Sequence, residues 1–178
     1  MSRTVTRKIM KIAFLDRDGT ITKDYPDNQW SGITEPVFID GSIEAMRLFS
    51  TKGYKIIVIT NQYLIGEGYI TQKQYDAYAE KFINHLGKAG IDILDIFYCP
   101  HARDAGCSCS KPKPGMIEAA CLKYPEIDMK QSFYAGDWDV DIILANTAGV
   151  KAFGIGVNNM TLNYTRVDSL SEIGDHIS

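Results

Sequence analysis

The feature that most restricts how this 178-residue chain can fold is a series of short, unbroken apolar runs separated by stretches with helical spacing. Lys11–Leu15, Lys55–Ile59, Ile93–Cys99, Ser132–Ala135 and Lys151–Ile155 read as strands. They are continuous rather than alternating in polarity, which is the pattern of strands covered on both faces. Between them lie helical segments. Ser42–Lys52 carries Ile43, Met46, Leu48 and Phe49 and stops at Gly53. Thr71 and Gln74 form a capping-box pair that opens a helix to about Ala89, ended by Gly90. Gly115–Tyr124, Asp139–Ala148 and a short terminal helix, Ser169–Ile177, complete the set. Alternating strands and helices predict an α/β fold with a mainly parallel sheet between helical layers. The polar stretch Lys23–Val37, with Pro26 and Pro36, reads as a loop over the sheet edge.

Composition narrows the class further. The net charge of −3, 45% hydrophobic content and 23% charged content fit a globular chain and exclude a disordered one. The length predicts one domain over residues 1–178 and, at this size, a monomer. No basic stripe marks a nucleic-acid partner, and no apolar run approaches the ~18–20 residues of a membrane span. The basic start, Met1–Lys11, leads into only five apolar residues, too few for a secretion signal, so a cytoplasmic location is expected.

In an open parallel sheet, ligands sit beyond the carboxyl ends of the strands. Asp16 and Asp18 follow the first strand, Thr60 and Asn61 the second, and Asp137 the fourth, while Lys111 lies in a loop able to reach the same edge. This set suits phosphoryl transfer. A carboxylate can attack phosphorus and form an aspartyl-phosphate, dividing hydrolysis into two easier steps. A hard cation such as Mg²⁺ relieves the repulsion between the two anions. A second acid protonates the leaving oxygen and then activates water. A hydroxyl and a lysine hold the phosphoryl oxygens. The substrate expected is a small phosphorylated metabolite.

A second constellation lies at Cys99-x-His101-x5-Cys107-x-Cys109. Three thiolates and an imidazole can close a tetrahedral Zn²⁺ site with no open position, so its role reads as structural. Lys111 stands two residues beyond Cys109, and the zinc loop would stiffen the segment that delivers it. Cys121 reads as a small core residue, His85 as solvent-facing, and Trp30 either lines the site or plugs the long loop against the core.

Asp16-Arg17-Asp18-Gly19-Thr20, Thr60-Asn61-Gln62, Ser110-Lys111-Pro112 and Gly136-Asp137 with Asp141 resemble, in order, the four motifs of the haloacid dehalogenase phosphatase superfamily. The resemblance covers about residues 10–157. It implies a Rossmann-like three-layer sandwich without a large cap domain. Within the superfamily the chain is similar to the branch of the D-glycero-D-manno-heptose 1,7-bisphosphate 7-phosphatases and the histidinol-phosphatases, which carry a short zinc loop. Phe38-Ile39-Asp40-Gly41 and Lys111-Pro112-Lys113-Pro114-Gly115-Met116 resemble the heptose enzymes; the five residues between His101 and Cys107 resemble the histidinol-phosphatases.

The resemblance implies that Asp16 is the nucleophile and Asp18 the general acid and base. It implies substrate binding by Thr60, Asn61 and Lys111. Mg²⁺ would be held by Asp16, Asp18 through its backbone carbonyl, and Asp137, with Asp141 supporting that site. Three positions depart from the heptose enzymes: Ser110 and Glu67 stand where those have arginine, and Trp138 where they have lysine. Lys113 could restore one cation. The expected substrate is the heptose bisphosphate, with histidinol phosphate or another sugar phosphate as alternatives. A non-catalytic, zinc-stabilised binding module is the reading from another class.

Overall fold

The computed structural model describes residues 9–178, so most of the basic start, residues 1–8, lies outside it. Six strands form one sheet in the order β3-β2-β1-β4-β5-β6. They are β1 (Ile12–Leu15), β2 (Lys55–Asn61), β3 (Ile93–Cys99), β4 (Phe133–Gly136), β5 (Lys151–Ile155) and β6 (Thr165–Val167). Every pairing is parallel. The helices are α1 (Ser42–Thr51), α2 (Tyr63–Gly66), α3 (Gln72–Lys88), α4 (Gly115–Lys123) and α5 (Asp139–Ala148).

The continuous apolar runs are explained by burial on both faces. Successive side chains of a strand point to opposite sides. Ala13, Leu15, Ile56, Val58 and Phe133 pack with Met46 and Phe49 of α1 and Phe82 and Leu86 of α3. Ile12, Phe14, Ile57, Ile59 and Tyr134 pack on the other side with Ile117 of α4 and Ile142 and Ala145 of α5. A third cluster, Trp30, Leu64, Ile70, Tyr75 and Tyr78, sits apart from these two. The capping box forms: the Gln74 amide donates to Thr71 Oγ1 at 3.2 Å and the Thr71 amide to Gln74 Oε1 at 2.9 Å.

Some elements differ from the sequence reading. β2 runs two residues past Ile59, so Thr60 and Asn61 belong to the strand itself. β6 is three residues long and begins Thr-Arg, too short and polar for a periodicity signal. The expected terminal helix is a 3₁₀ segment, Leu170–His176. There a Cβ on Gly174 would lie 2.5 Å from Leu48 Cδ2, so the glycine admits close packing on α1. The long loop holds a 3₁₀ turn, Asp27–Gly32, whose Trp30 is buried. Among the described residues no helix is long and apolar enough to cross a membrane.

Candidate active site

β1 is paired on one side by β2 and on the other by β4, so chain direction across the sheet reverses there. Such switch points open a crevice at the carboxyl ends of the strands. A pocket of about 420 Å³ lies at this place, and Asp16, Asp18, Thr60, Asn61, Lys111, Trp138 and Asp141 are among the residues that line it.

At its floor, Lys111 Nζ donates to Asp16 Oδ1 at 2.6 Å, Asp141 Oδ1 at 2.7 Å and the Ile59 carbonyl at 3.3 Å. Burial would lower the lysine's proton affinity, but the carboxylates of Asp141 and Asp16 outweigh that and hold it above the ordinary range. Asp16 is itself pushed up: desolvation dominates, Lys111 opposes it, and Asp141 and Asp137 add to it. Asp137 is pushed up to about 6 by burial and by the nearby Asp141, against a hydrogen bond from Thr20 Oγ1 at 3.2 Å. One buried ammonium therefore faces three carboxylates.

That excess of negative charge is what a divalent cation answers. Oxygen atoms of Asp16, Asp137 and Asp141 all lie within 4.8 Å of one another, so hard-cation ligands converge here. Gly19 makes the convergence possible. Its φ is +90°, and a Cβ at this residue would stand 2.2 Å from Asp137 Oδ2. Asp141 belongs to this floor directly: it also accepts from Tyr134 Oη at 3.0 Å and from the Trp138 amide at 3.2 Å.

Asp18 is held differently. Arg17 Nε and Nη2 donate to its two carboxylate oxygens at 2.9 and 2.8 Å, and Gln62 Nε2 donates to Oδ2 at 2.8 Å. The same Gln62 nitrogen lies 2.8 Å from Thr60 Oγ1. Asn61 lines the pocket and clamps the lysine's backbone: Lys111 N donates to Asn61 Oδ1 at 2.9 Å and Asn61 Nδ2 to the Lys111 carbonyl at 3.3 Å.

The four zinc-loop residues come together as the spacing requires. Cys99 Sγ lies 3.4 Å from His101 Nδ1, 3.5 Å from Cys107 Sγ and 3.0 Å from Cys109 Sγ. A Zn–S bond of about 2.3 Å in a tetrahedron separates neighbouring sulfurs by about 3.8 Å, so the cluster has the size to close on zinc with slight expansion. All four cysteines are free thiols. Cys121 Sγ is half-buried against Met129 Sδ at 3.8 Å, and His85 is exposed.

The structure adds residues that the sequence reading did not single out. Arg17 and Gln62 hold Asp18, although both sit inside the quoted motifs. Arg103, between His101 and Cys107, lines the pocket, lies 3.9 Å over the Tyr63 ring and pairs with Asp27 and Glu67. α2 brings Glu67 to it: a Cβ on Gly66 would meet the Ala102 amide at 2.3 Å, so the glycine lets α2 lie against the zinc loop. Lys113 donates to the Cys107 carbonyl and lines the zinc loop rather than the pocket. Trp30 does both things left open for it. It lines the pocket and also packs, buried, on Tyr25 and Tyr78.

Residues 11–160 match the family described as polynucleotide kinase 3 phosphatase. The D-glycero-alpha-D-manno-heptose-1,7-bisphosphate 7-phosphatase of Photorhabdus laumondii is 42% identical over 148 residues, 79% of each chain. The histidine biosynthesis bifunctional protein HisB of Campylobacter jejuni is 34% identical over 147 residues, 82% of this chain and 42% of that protein. The solved D,D-heptose 1.7-bisphosphate phosphatase from B. bronchiseptica, a complex with magnesium and phosphate, shares the fold with a TM-score of 0.81. That match covers 94% of this chain and 97% of the other at 24% identity. By the extent of the family match and by these identities, the chain belongs to the polynucleotide kinase 3 phosphatase family of haloacid dehalogenase-like phosphatases.

Proposed function

We propose that the protein is a Mg²⁺-dependent phosphomonoester hydrolase that acts through an aspartyl-phosphate on Asp16, with a heptose 1,7-bisphosphate as its substrate. The observation that carries the reading is the pocket floor, where Asp16, Asp137 and Asp141 converge at the switch point of a parallel sheet and the buried Lys111 bridges Asp16 and Asp141. The substrate comes from the relatives' named activity.

An Asp16 carboxylate oxygen attacks phosphorus as the bond from phosphorus to the ester oxygen breaks. Asp18 delivers a proton to that departing oxygen. It then takes a proton from the water that attacks phosphorus and frees Asp16. Lys111 and Thr60 hold the phosphoryl oxygens, and Asn61 fixes the lysine's backbone. Asp16, Asp137 and the Asp18 carbonyl would hold Mg²⁺, whose charge, when bound, offsets that of the two anions that must meet. The zinc loop keeps Lys111 and Arg103 in place and takes no part in the chemistry. The protein acts on a soluble small molecule, as a cytoplasmic single-domain monomer.

A second phosphate needs a cation at the far end of the pocket. With Ser110, Glu67 and Trp138 at the departing positions, Arg103 is, among the described residues, the cation that lines the pocket besides Lys111. A second reading also has an observation in its favour. Asp24 lines the pocket, and Asp27 and Glu67 pair with Arg103; acidic groups at this end suit a monophosphate whose far end is cationic, as in histidinol phosphate.

Phosphate release with Mg²⁺ separates the readings. A kcat/KM of at least ~10⁴ M⁻¹s⁻¹ on the heptose bisphosphate, well above histidinol phosphate and sugar monophosphates, is the expected result. Arg103→Ala should then raise KM for the bisphosphate at least ~10-fold while changing monophosphate turnover little. A preference for histidinol phosphate would replace the substrate and leave the mechanism. No phosphate release from any of them would refute both readings.

A further inference from the structure

We infer that Arg17 is a positioning residue that aims the Asp18 carboxyl at the leaving oxygen, and that the aromatic cluster around it exists to hold its guanidinium. The inference rests on Asp18 acting as the general acid. Arg17 is 1% exposed, among the largest fully buried side chains of the protein. It reaches Asp18 through two parallel hydrogen bonds, the fork geometry that fixes a carboxylate in both position and plane. Its remaining nitrogen, Nη1, has no hydrogen-bond partner among the described residues, and the guanidinium faces rings instead. Its carbon lies 4.7 Å from the Tyr78 ring centroid, 5.6 Å from Tyr75 and 6.0 Å from Trp30. Two of these rings come from α3 and the third from the long loop, both outside the four motifs.

Stability alone does not account for this arrangement. A buried ion pair contributes little net stability, and apolar side chains of like volume serve as well or better. What the fork and the cage achieve is restraint. The carboxylate accepts four hydrogen bonds: two from Arg17, one from Thr22 Oγ1 at 3.3 Å and one from the Gln62 nitrogen that also lies by Thr60, so the acid is held in register with a phosphoryl-holding hydroxyl. A misplacement of about 1 Å in such a group can cost ~10²-fold in rate.

The test uses leaving groups. Phenyl phosphate needs a proton on its departing oxygen, whereas p-nitrophenyl phosphate departs readily without one. kcat/KM reports the first, phosphorylating step, so the ratio of the two substrates reads the proton donor and not binding or folding. Asp18→Asn should lower the phenyl to p-nitrophenyl ratio by ~10²-fold or more. Arg17→Met should lower it at least ~10-fold, Arg17→Lys less, and Arg17→Met added to Asp18→Asn should not change it further. Tyr78→Leu keeps the ion pair and opens the cage. It should lower the ratio in the same direction, and it decides the matter if the Arg17 variants do not fold.

An unchanged ratio in folded Arg17→Met, or in Tyr78→Leu where Arg17→Met does not fold, overturns the inference even if overall activity falls. So does a further drop of the ratio in the double variant. An unchanged ratio in Asp18→Asn would instead refute the general-acid reading of Asp18, and the inference with it.

Discussion

Replacing Lys111 by methionine keeps the unbranched, apolar stem of the side chain and removes the ammonium that pairs with Asp16 and Asp141. At an effective dielectric of about 20, unit charges at 4 Å attract by about 4 kcal/mol, and this ammonium has two carboxylates nearer than that. Desolvation of the three buried groups offsets most of the attraction, so the network as a whole adds little. Removing one member is another matter, because the carboxylates are left facing each other. The cost of breaking such a buried pair is about 3–5 kcal/mol. For a domain of this size, with about 2–4 °C of Tm per kcal/mol, that is a fall of roughly 6–20 °C in thermal unfolding of the metal-free protein near neutral pH.

Asp141→Asn on its own strands part of the same network. Combined with Lys111→Met it should cost less than the sum of the single changes, with a coupling of about 1–3 kcal/mol. The double variant should regain stability without activity, since the lysine is still missing from the phosphoryl oxygens. Lys111→Met should lower kcat/KM by about 10²–10³-fold. Costs that add to within about 0.5 kcal/mol, or a Lys111→Met protein as stable as the parent, would refute the reasoning from charge.

Other outcomes follow from the same geometry. Asp137 sits near pH 6, above its ordinary value of 3.8, so the fold favours its protonated form. The stability this group contributes is complete below about pH 4 and is lost as the pH rises through 6, up to about 3 kcal/mol. Mg²⁺ should therefore raise Tm more at pH 8 than at pH 5, as calorimetry with and without the ion would show; a shift independent of pH contradicts this. Removing zinc with a strong chelator, or replacing Cys107 by serine, should leave the sheet's circular dichroism in place and lower activity at least ~10-fold through Lys111. Metal analysis that finds no zinc in the purified protein would end that argument. Gly19→Ala should lower kcat at least ~10-fold, because its Cβ would meet Asp137 at a backbone angle that side chains avoid; full activity would show that the turn can relax.

The inner strands were legible because they are buried on both faces, which gives runs such as Ile12–Leu15 and Ile56–Ile59 no polar interruption, whereas the half-buried β3 admits Asp95. β6 left no such mark, being three residues at the sheet edge. The site residues at strand ends were legible for the same reason. The first two apolar runs stop on Asp16 and Thr60, the fourth reaches Asp137 after a single glycine, and topology carries those ends to one edge.

The supports of the site were not legible. Arg17 lies between two aspartates and reads as one more charge at a turn. Its burial depends on Tyr75, Tyr78 and Trp30 arriving from distant segments. Arg103 meets Asp27 and Glu67 across separations of 76 and 36 residues, a contact that no local spacing announces. Asp141 was expected to support the Mg²⁺ site; its contact with Lys111 left no mark in the sequence, because it depends on α5 beginning at Asp139 and turning its first-turn carboxylate inward.

The mechanism turns on a bond between Asp16 and phosphorus. The direct test is to mix the enzyme with Mg²⁺ and a turned-over phosphomonoester, quench within the first turnover, reduce with borohydride and sequence the peptides by mass spectrometry. An acyl phosphate is reduced to the alcohol, so residue 16 should be recovered as homoserine only when substrate is present, and Asp16→Asn should give none. Reduction at another carboxylate, or an unmodified Asp16 during active turnover, would contradict the account.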